Sequence, residues 1–296
     1  MEEVDVFQRN VKNKESDVVK NPQELMVGLK KEKEETKKEL TDKENFDSYD
    51  EITDKTKEVL KEKGISCLFP IQYESFYHVY EGKDLIARDL TGSGKTLAFC
   101  LPLVEKYRSL GYFKPTKSIV RNLYSIILTP TRELAIQVAN ELKKLVHHAS
   151  EYKVLTVYGG VSFDDQQSEL RYGVEFFVGT TGRVLDHIKN GNIEFKNIKA
   201  VILDEADRML DMGFQEDIEE IIASVKSEVE TKPQFLFFSA TIPDWFRTTA
   251  KRYLSDDYKT VDLVKNLKNK TAHTVNHLAL NCPFDNKISV LADVLR

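Results

Sequence analysis

Along most of the chain, short apolar runs alternate with longer segments in which apolar residues recur every three or four positions. The runs fall at Asp84–Ala87, Tyr124–Thr129, Val154–Tyr158, Val174–Gly179, Ala200–Asp204 and Phe235–Ser239. Several are apolar throughout, as expected of strands covered on both faces. Between them Leu134, Val138, Leu142 and Leu145 form one helical stripe, and Phe214, Ile218, Ile221, Ile222 and Val225 form another. Alternation at this spacing predicts an α/β fold, a parallel sheet with helices on both faces. Ligands of such sheets bind outside the carboxyl ends of the strands, so chemistry is expected in the loops that follow them.

The pattern is absent at the start. Between Lys30 and Glu44 twelve of fifteen residues are charged, six of each sign. Such a stretch cannot bury enough surface to offset its ordering entropy, so residues 1–45 are expected to be a solvated helix or disordered extension. The folded domain is expected over 46–264. From Lys265 to Arg296 the chain turns polar (KNLKNKTAHT) and ends in a short strand-like piece and a helical start, ISVLADVLR. This reads as a linker running into a further domain.

Composition narrows the class. The chain is 41% hydrophobic and 31% charged, which excludes wholesale disorder. Its 43 Lys and Arg against 48 Asp and Glu give a formal charge of −5, so nucleic-acid binding requires a local site and not a basic coat. Cys67, Cys100 and Cys282 share no metal-type spacing, which points to a reducing compartment. No apolar run approaches the roughly 18 residues of a membrane span, and the start, MEEVDVFQRN, has no signal-peptide core. A soluble, intracellular protein is expected.

The candidate chemistry follows the strands. After DLIA comes RDLTGSGKT, where Gly92 and Gly94 let Thr91, Ser93 and their neighbours turn backbone N–H groups inward around a polyphosphate. Lys95 can reach the β and γ phosphates of ATP, and the Thr96 hydroxyl can hold Mg²⁺. The general pattern puts a small residue where this chain has Asp89. That carboxylate is expected to point outward or to pair with Arg88, since it would otherwise repel triphosphate. The run AVILDEAD ends a buried strand with Asp204, placed to hold Mg²⁺, and Glu205, placed to orient or deprotonate the attacking water.

LDEAD with TGSGKT, PTRELA (Pro130–Ala135) and SAT (Ser239–Thr241), in this order, resembles the DEAD-box RNA helicases. The resemblance covers about Phe46 to Val264 and implies the first of that family's two RecA-like domains. It further implies that Gln72, in GISCLFPIQ, reads the adenine edge and that Phe46, with seventeen residues between it and Gly64, stacks on the base. A glutamine amide offers both the donor and the acceptor that adenine requires. Asp207, Ser239 and Thr241 are implied to couple the nucleotide site to the RNA side. Pro130, Thr131, Arg132, Gly159, Gly160, Thr180, Thr181, Gly182 and Arg183 are implied to follow the RNA backbone, with Thr181 where the family has proline. Each alone is an ordinary cap or turn; together they make a track of sugar-phosphate contacts with little sequence preference.

By the same resemblance the parent would be an ATP-dependent RNA helicase, monomeric, in the nucleus or nucleolus, with the cytoplasm as alternative. The segments FPIQYESFYHVYEGKDLIA and VDLVKNLKNKTAHTVNHLAL look like the nucleolar, ribosome-assembly subgroup. The chain stops before any motif of a second RecA-like domain, so nucleotide binding with scarcely any turnover is expected of it alone. The competing reading is a non-catalytic RNA- or protein-binding module on a P-loop scaffold. His147 and His148 are expected to favour a helix C-terminal dipole, Trp245 to anchor a core, and Phe235, Phe237 and Phe238 to be strand core.

Overall fold

A computed structural model of the chain describes residues 40–113, 122–147, 151–242, 246, 248, 250–265 and 283–294. Most of the charged extension (1–39), His148, Trp245 and the polar stretch 266–282 lie outside the described residues. Seven strands form one parallel sheet: β1 (Leu85–Arg88), β2 (Ser125–Thr129), β3 (Val154–Val157), β4 (Phe176–Thr180), β5 (Ala200–Leu203), β6 (Gln234–Ser239) and β7 (Lys259–Asp262). Their order across the sheet is β3-β4-β2-β5-β6-β1-β7. The first six lie on the expected apolar runs. The seventh was not anticipated, because this edge strand carries no apolar run: Val261 is buried while Lys259 and Thr260 are exposed.

Alternate strand residues feed two separate cores. Leu85, Ala87, Phe176, Val178, Leu236 and Phe238 pack on one face with α1 (Asp54–Glu62), α2 (Pro70–Tyr80), α3 (Lys95–Ser109) and α4 (Arg132–Lys144). Ile86, Phe177, Val201, Phe235 and Phe237 pack on the other with α6 (Thr181–Lys189), α7 (Ala206–Asp211) and α8 (Gln215–Glu228). The expected stripes are the buried faces of α4 and α8. Between β3 and β4 lies α5 (Phe163–Arg171). The ISVLAD segment is helical throughout α9 (Lys287–Val294), so no strand begins there. No helix among the described residues is long and apolar enough to cross a membrane.

Two polar clusters fasten the ends of elements into this frame. Buried Glu105 on α3 accepts from the Thr53 N–H (3.2 Å), the Thr56 hydroxyl and Arg108, whose Nε also donates to Glu151 (2.6 Å). His147 joins here by its ring, 2.8 Å from the Thr56 hydroxyl. Burial, and then the Arg108 charge, hold its pKa below the ordinary value, so it is a neutral partner and not the dipole-favouring cation expected from sequence. At the amino end of β1, Asp84 accepts from the Phe235 N–H (2.7 Å), the Ser255 N–H (2.7 Å), the Ser255 hydroxyl (2.9 Å) and Lys232 (2.9 Å). Removing that carboxylate strands two backbone donors. Asp84→Ala is therefore expected to destabilise the domain by about 2–4 kcal/mol, read as a lower urea midpoint. Because Asp84 sits at the end of β1 opposite the glycine-rich loop, nucleotide affinity measured well below the midpoint should be unchanged.

Candidate functional site

Of the seven segments that leave the carboxyl edge of the sheet, the six after β1 to β6 carry the expected motifs, and the sheet order sorts them. Those after β5, β6 and β1 are neighbours and carry DEAD, SAT and GSGKT; those after β3, β4 and β2 are neighbours and carry Gly159–Gly160, Thr181–Arg183 and Thr131–Glu133. The expected nucleotide and RNA residues thus fall on two halves of one edge.

In the glycine-rich loop Gly92 and Gly94 take φ of 79° and 86°, left-handed values that a side chain would strain. A Cβ on Gly94 would also lie 2.4 Å from Gln72 Nε2. Lys95 opens α3 but folds back, donating to the carbonyls of Asp89 (2.9 Å) and Leu90 (2.6 Å). Burial depresses its pKa, with Asp204 and then Asp89 pulling the other way. Ser93 Oγ is buried with no hydrogen-bond partner among the described residues. An orphan hydroxyl, an ammonium turned onto carbonyls and a helix amino end converge on one point, which suits a polyphosphate.

Asp89 departs from expectation. It is only 9% exposed and its Oδ1 accepts from the Leu90 N–H (2.8 Å). Arg88 is engaged elsewhere, with Asp262 (3.4 Å) and the Ala240 carbonyl (3.3 Å). The carboxylate neither points outward nor pairs with Arg88; it is absorbed by the loop's own backbone. The Asp89 N–H in turn donates to the Ser239 carbonyl (3.2 Å), tying the loop to β6.

Across the cleft Asp204 is buried, accepts from the Glu205 N–H (3.0 Å), and hangs from β2 through its own N–H to the Leu128 carbonyl (3.0 Å). Burial, then the Glu205 charge, push its pKa up to about 7. Glu205 has φ 51°, the only left-handed non-glycine residue among those described. That conformation costs of order 1–2 kcal/mol, and Arg208 meets its carboxylate at 3.2 Å. Asp207 accepts from both the N–H and the hydroxyl of Thr241 (2.8 Å each), and its own N–H donates to Ser239 Oγ (3.3 Å). Burial opposes ionisation of Asp207, but hydrogen bonding to its carboxylate by Thr241, and then by the Ser239 hydroxyl, outweighs it and holds its pKa low.

Beside the loop opens a cleft of about 330 Å³ lined by Ile65, Cys67, Phe69, Gln72, Thr96 and Leu97. Gln72 spends its amide internally, accepting from the Phe69 N–H (2.8 Å) and donating to the Gly94 carbonyl (3.1 Å). Phe46, expected to stack on a base, is 2% exposed within the core under Lys61 and does not line this cleft. Phe69, 50% exposed on the cleft wall, is the aromatic face that sequence reasoning missed. The signal was its place immediately before Pro70-Ile71-Gln72, which leaves it at the amino cap of α2 with its ring outside the helix.

On the other half, Thr131 caps α4, its hydroxyl accepting from the Leu134 N–H (3.3 Å), which leaves the O–H donor for a ligand. Pro130 is buried; Arg132 is exposed and stacks over Tyr158 at 4.7 Å. Gly159 and Gly182 are exposed, with open space around each Cα, and Gly160 takes φ 84°. Thr181 is buried, so its hydroxyl is not on the surface. Arg183 is largely buried, held by the Val161 carbonyl (3.1 Å) and Gln166 (3.0 Å).

Among the described residues no group of three or more His, Cys, Asp or Glu side chains is placed to hold a metal ion alone. Asp204 and Thr96 would hold Mg²⁺ only jointly with phosphate oxygens and water, its usual mode.

Comparison with known proteins bears on this geometry. A family model described as "DEAD/DEAH box helicase" matches residues 69–249. The chain is 43% identical over 255 residues to "ATP-dependent RNA helicase DDX50" of Mus musculus, covering 86% of this chain and 34% of that protein. It is 42% identical over 268 residues to "Nucleolar RNA helicase 2" of Rattus norvegicus, covering 90% and 34%. The chain thus spans about a third of the length of these relatives. A crystal structure of a DEAD box protein from the hyperthermophile Methanococcus jannaschii matches with TM-score 0.62 and 35% identity, over 74% of this chain and 56% of that one.

The raised pKa of Asp204 predicts a stability effect with a definite sign. The folded state holds the proton up to about pH 7, while an unfolded carboxyl releases it near its ordinary 3.8. The contribution is fully present below pH 3.8 and is lost as pH rises through 7. In nucleotide-free chain, Asp204→Asn should therefore raise the melting temperature at pH 8 relative to wild type, with a ceiling of about 4 kcal/mol, and the gap should close toward pH 4. Equal melting curves at pH 8 would show that the carboxylate is not destabilised by its site.

Proposed function

The chain belongs to the DEAD/DEAH box helicase family, and on that premise we propose that its carboxyl edge binds ATP–Mg²⁺ on one half and an RNA backbone on the other. It would serve as the ATP-binding half of an ATP-dependent RNA helicase. The observation that carries this reading is the sorting of motifs by sheet order, which gives each half three adjacent loops.

In this reading the polyphosphate takes the place of the Asp89 and Leu90 carbonyls as partner of Lys95, and Ser93 Oγ gains its missing bond. Thr91, Gly92, Ser93 and Gly94 offer backbone N–H groups, and Thr96 with Asp204 holds Mg²⁺. Bound Mg²⁺ supplies charge neutralisation on the phosphates. Glu205 orients or deprotonates the water that attacks the γ-phosphate. Gln72 reads adenine after releasing Gly94, with Phe69 beside it as the cleft's aromatic wall and Phe46 buttressing from the core. Asp207, Ser239 and Thr241 couple the two halves. Pro130, Thr131, Arg132, Gly160, Thr180, Thr181 and Gly182 meet RNA mainly through backbone groups, which favours sugar-phosphate contact over base reading.

We assign residues 1–45 to a charged extension, 46–264 to the first RecA-like domain and 265–296 to a linker entering the second. The relatives' names support a nuclear or nucleolar location, and a monomer is the expected state. The buried Asp89 carboxylate favours one competing reading, a non-catalytic binding module, because an anion in the loop lowers affinity for triphosphate.

RNA-stimulated ATP turnover by a longer chain that carries the second domain separates the two readings, and two measurements on this chain test the site itself. Lys95→Ala should remove most affinity for a fluorescent ATP analogue, since among the described residues no second ammonium is hydrogen-bonded to the loop; unchanged affinity removes the phosphate role. These 296 residues alone should bind nucleotide yet hydrolyse ATP scarcely at all, with or without single-stranded RNA. Transition-state groups from a second domain, and the water-excluding closure it provides, are what turnover requires. Robust RNA-stimulated turnover in a steady-state assay would refute this assignment of roles.

A further inference from the structure

Behind the RNA-side loops three side chains close a hydrogen-bonded group that no motif announced. Gln166, buried on α5, donates through Nε2 to the Tyr158 carbonyl (3.2 Å). Its Oε1 accepts from Arg183 Nη1 (3.0 Å) and from His187 Nε2 (3.1 Å). Arg183 Nη1 also donates to the Val161 carbonyl (3.1 Å). The Phe163 ring stacks on buried His187 at 4.3 Å, with the Arg183 guanidinium 5.7 Å from the ring centre. Asn192 Nδ2 lies 3.2 Å from His187 Nδ1 and donates to it, which fixes the neutral Nε2–H tautomer.

A side chain that holds phosphate by charge is expected at the surface with free donors, as exposed Arg132 is. The Arg183 side chain is only 13% exposed, and its Nε faces Asp186 at 3.5 Å. Its bonds run from the first turn of α6 to the loop between β3 and α5, and Gln166 carries the same link onward to Tyr158. The two glycines of that loop, Gly159 and Gly160, have no side chains with which to hold their own position.

Resting on the reading of this edge as an RNA track, we propose that Gln166 and Arg183 are positioning residues. Together they form a strut that sets the spacing between the Gly159–Gly160 backbone and the first turn of α6, and Arg183 is not itself a phosphate ligand. The two members share one bond, Arg183 Nη1 to Gln166 Oε1, so losing either breaks the same link between the first turn of α6 and Gln166; His187, further along α6, is then the remaining α6 donor to Oε1 among the described residues. Losses from the two substitutions should therefore overlap and not add.

The test uses the 296-residue chain and a fluorescein-labelled oligouridylate, titrated by anisotropy at several low KCl concentrations, with folding followed by circular dichroism. Arg183→Met and Gln166→Met should each weaken binding about ten-fold, and the double variant should be no weaker than the weaker single one. Their plots of log affinity against log salt should keep the wild-type slope. Arg132→Met should instead make the slope shallower by about 0.7, the loss of one phosphate contact on a single strand. Arg183→Lys keeps the charge but not the planar fork, and should weaken binding as Arg183→Met does; it decides the matter should Arg183→Met not fold. A shallower slope for Arg183→Met, additive losses, or wild-type affinity in Arg183→Lys overturns the strut and leaves the track standing. Unchanged affinity in Arg132→Met, Arg183→Met and Gln166→Met alike removes the track, and the strut with it.

Discussion

Parallel strands cannot be joined by a tight turn; each must return through a crossover, here usually a helix, before the next can pair. Seven strands built this way deliver every carboxyl end to one edge. The chain spends its chemistry there, while the amino ends are fastened by groups such as Asp84 that do no more than hold. β2 enters the sheet between β4 and β5, neither of which adjoins it in sequence. That insertion sorts the loops, leaving those of β5, β6 and β1 together and those of β3, β4 and β2 together. A different strand order would intermix the same motifs along the edge.

A buried edge that gathers carboxylates needs local compensation. Asp89, Asp204 and Asp207 are all buried, and each is handled differently. Asp207 is satisfied by Thr241 and stays ionised. Asp89 accepts from the next backbone amide. Asp204 is left with one bond, from the Glu205 N–H, and its carboxyl is pushed toward the protonated state. The uncompensated carboxylate, the strained Glu205 backbone, the orphan Ser93 hydroxyl and the inturned Lys95 all lie in one place. Clustering of unmet demands is what distinguishes a binding site from a merely polar loop, and it costs stability that the two cores supply.

Much of this was legible in the chain. The five inner runs read as strands because both faces are covered, so their apolar pattern is nearly unbroken; β3, though at an edge, keeps an apolar run, while β7, at the other edge, has none. GSGKT and LDEAD announce themselves because their chemistry is local, a turn and a strand end. What escaped depends on contacts distant in sequence. The burial of Phe46 is decided by how the segment before α1 packs, and the exposure of Phe69 by the angle at which α2 begins. Asp89 was expected to avoid the loop on electrostatic grounds. Sequence could not show that the adjacent N–H would take the charge, nor that Asp262, from the unanticipated edge strand, would take Arg88. Gln166 carried no signal, since a glutamine on a short polar helix is indistinguishable from a solvated one until its partners are known.

The same contacts bear on how the halves of the edge can sense each other. Coupling requires an element with two arrangements that both sites bias, and spatial proximity alone does not supply one. The SAT loop is joined to Asp207 by three hydrogen bonds and to the glycine-rich loop through Asp89, which ties these three segments together. Lys95 and Gln72 are different. Each is held by bonds to loop carbonyls that a polyphosphate or a base edge can replace one for one, without leaving a buried donor unmet. Exchange of that kind has a small net cost and a clear alternative state, which a fully packed core side chain lacks. From these segments, the Asp204 N–H to Leu128 carbonyl bond leads straight into β2, the strand whose loop begins the other half of the edge. In the proposed reading the path from phosphate to RNA backbone is therefore short, made of main-chain and side-chain hydrogen bonds, and gated at the nucleotide end by two side chains with replaceable partners.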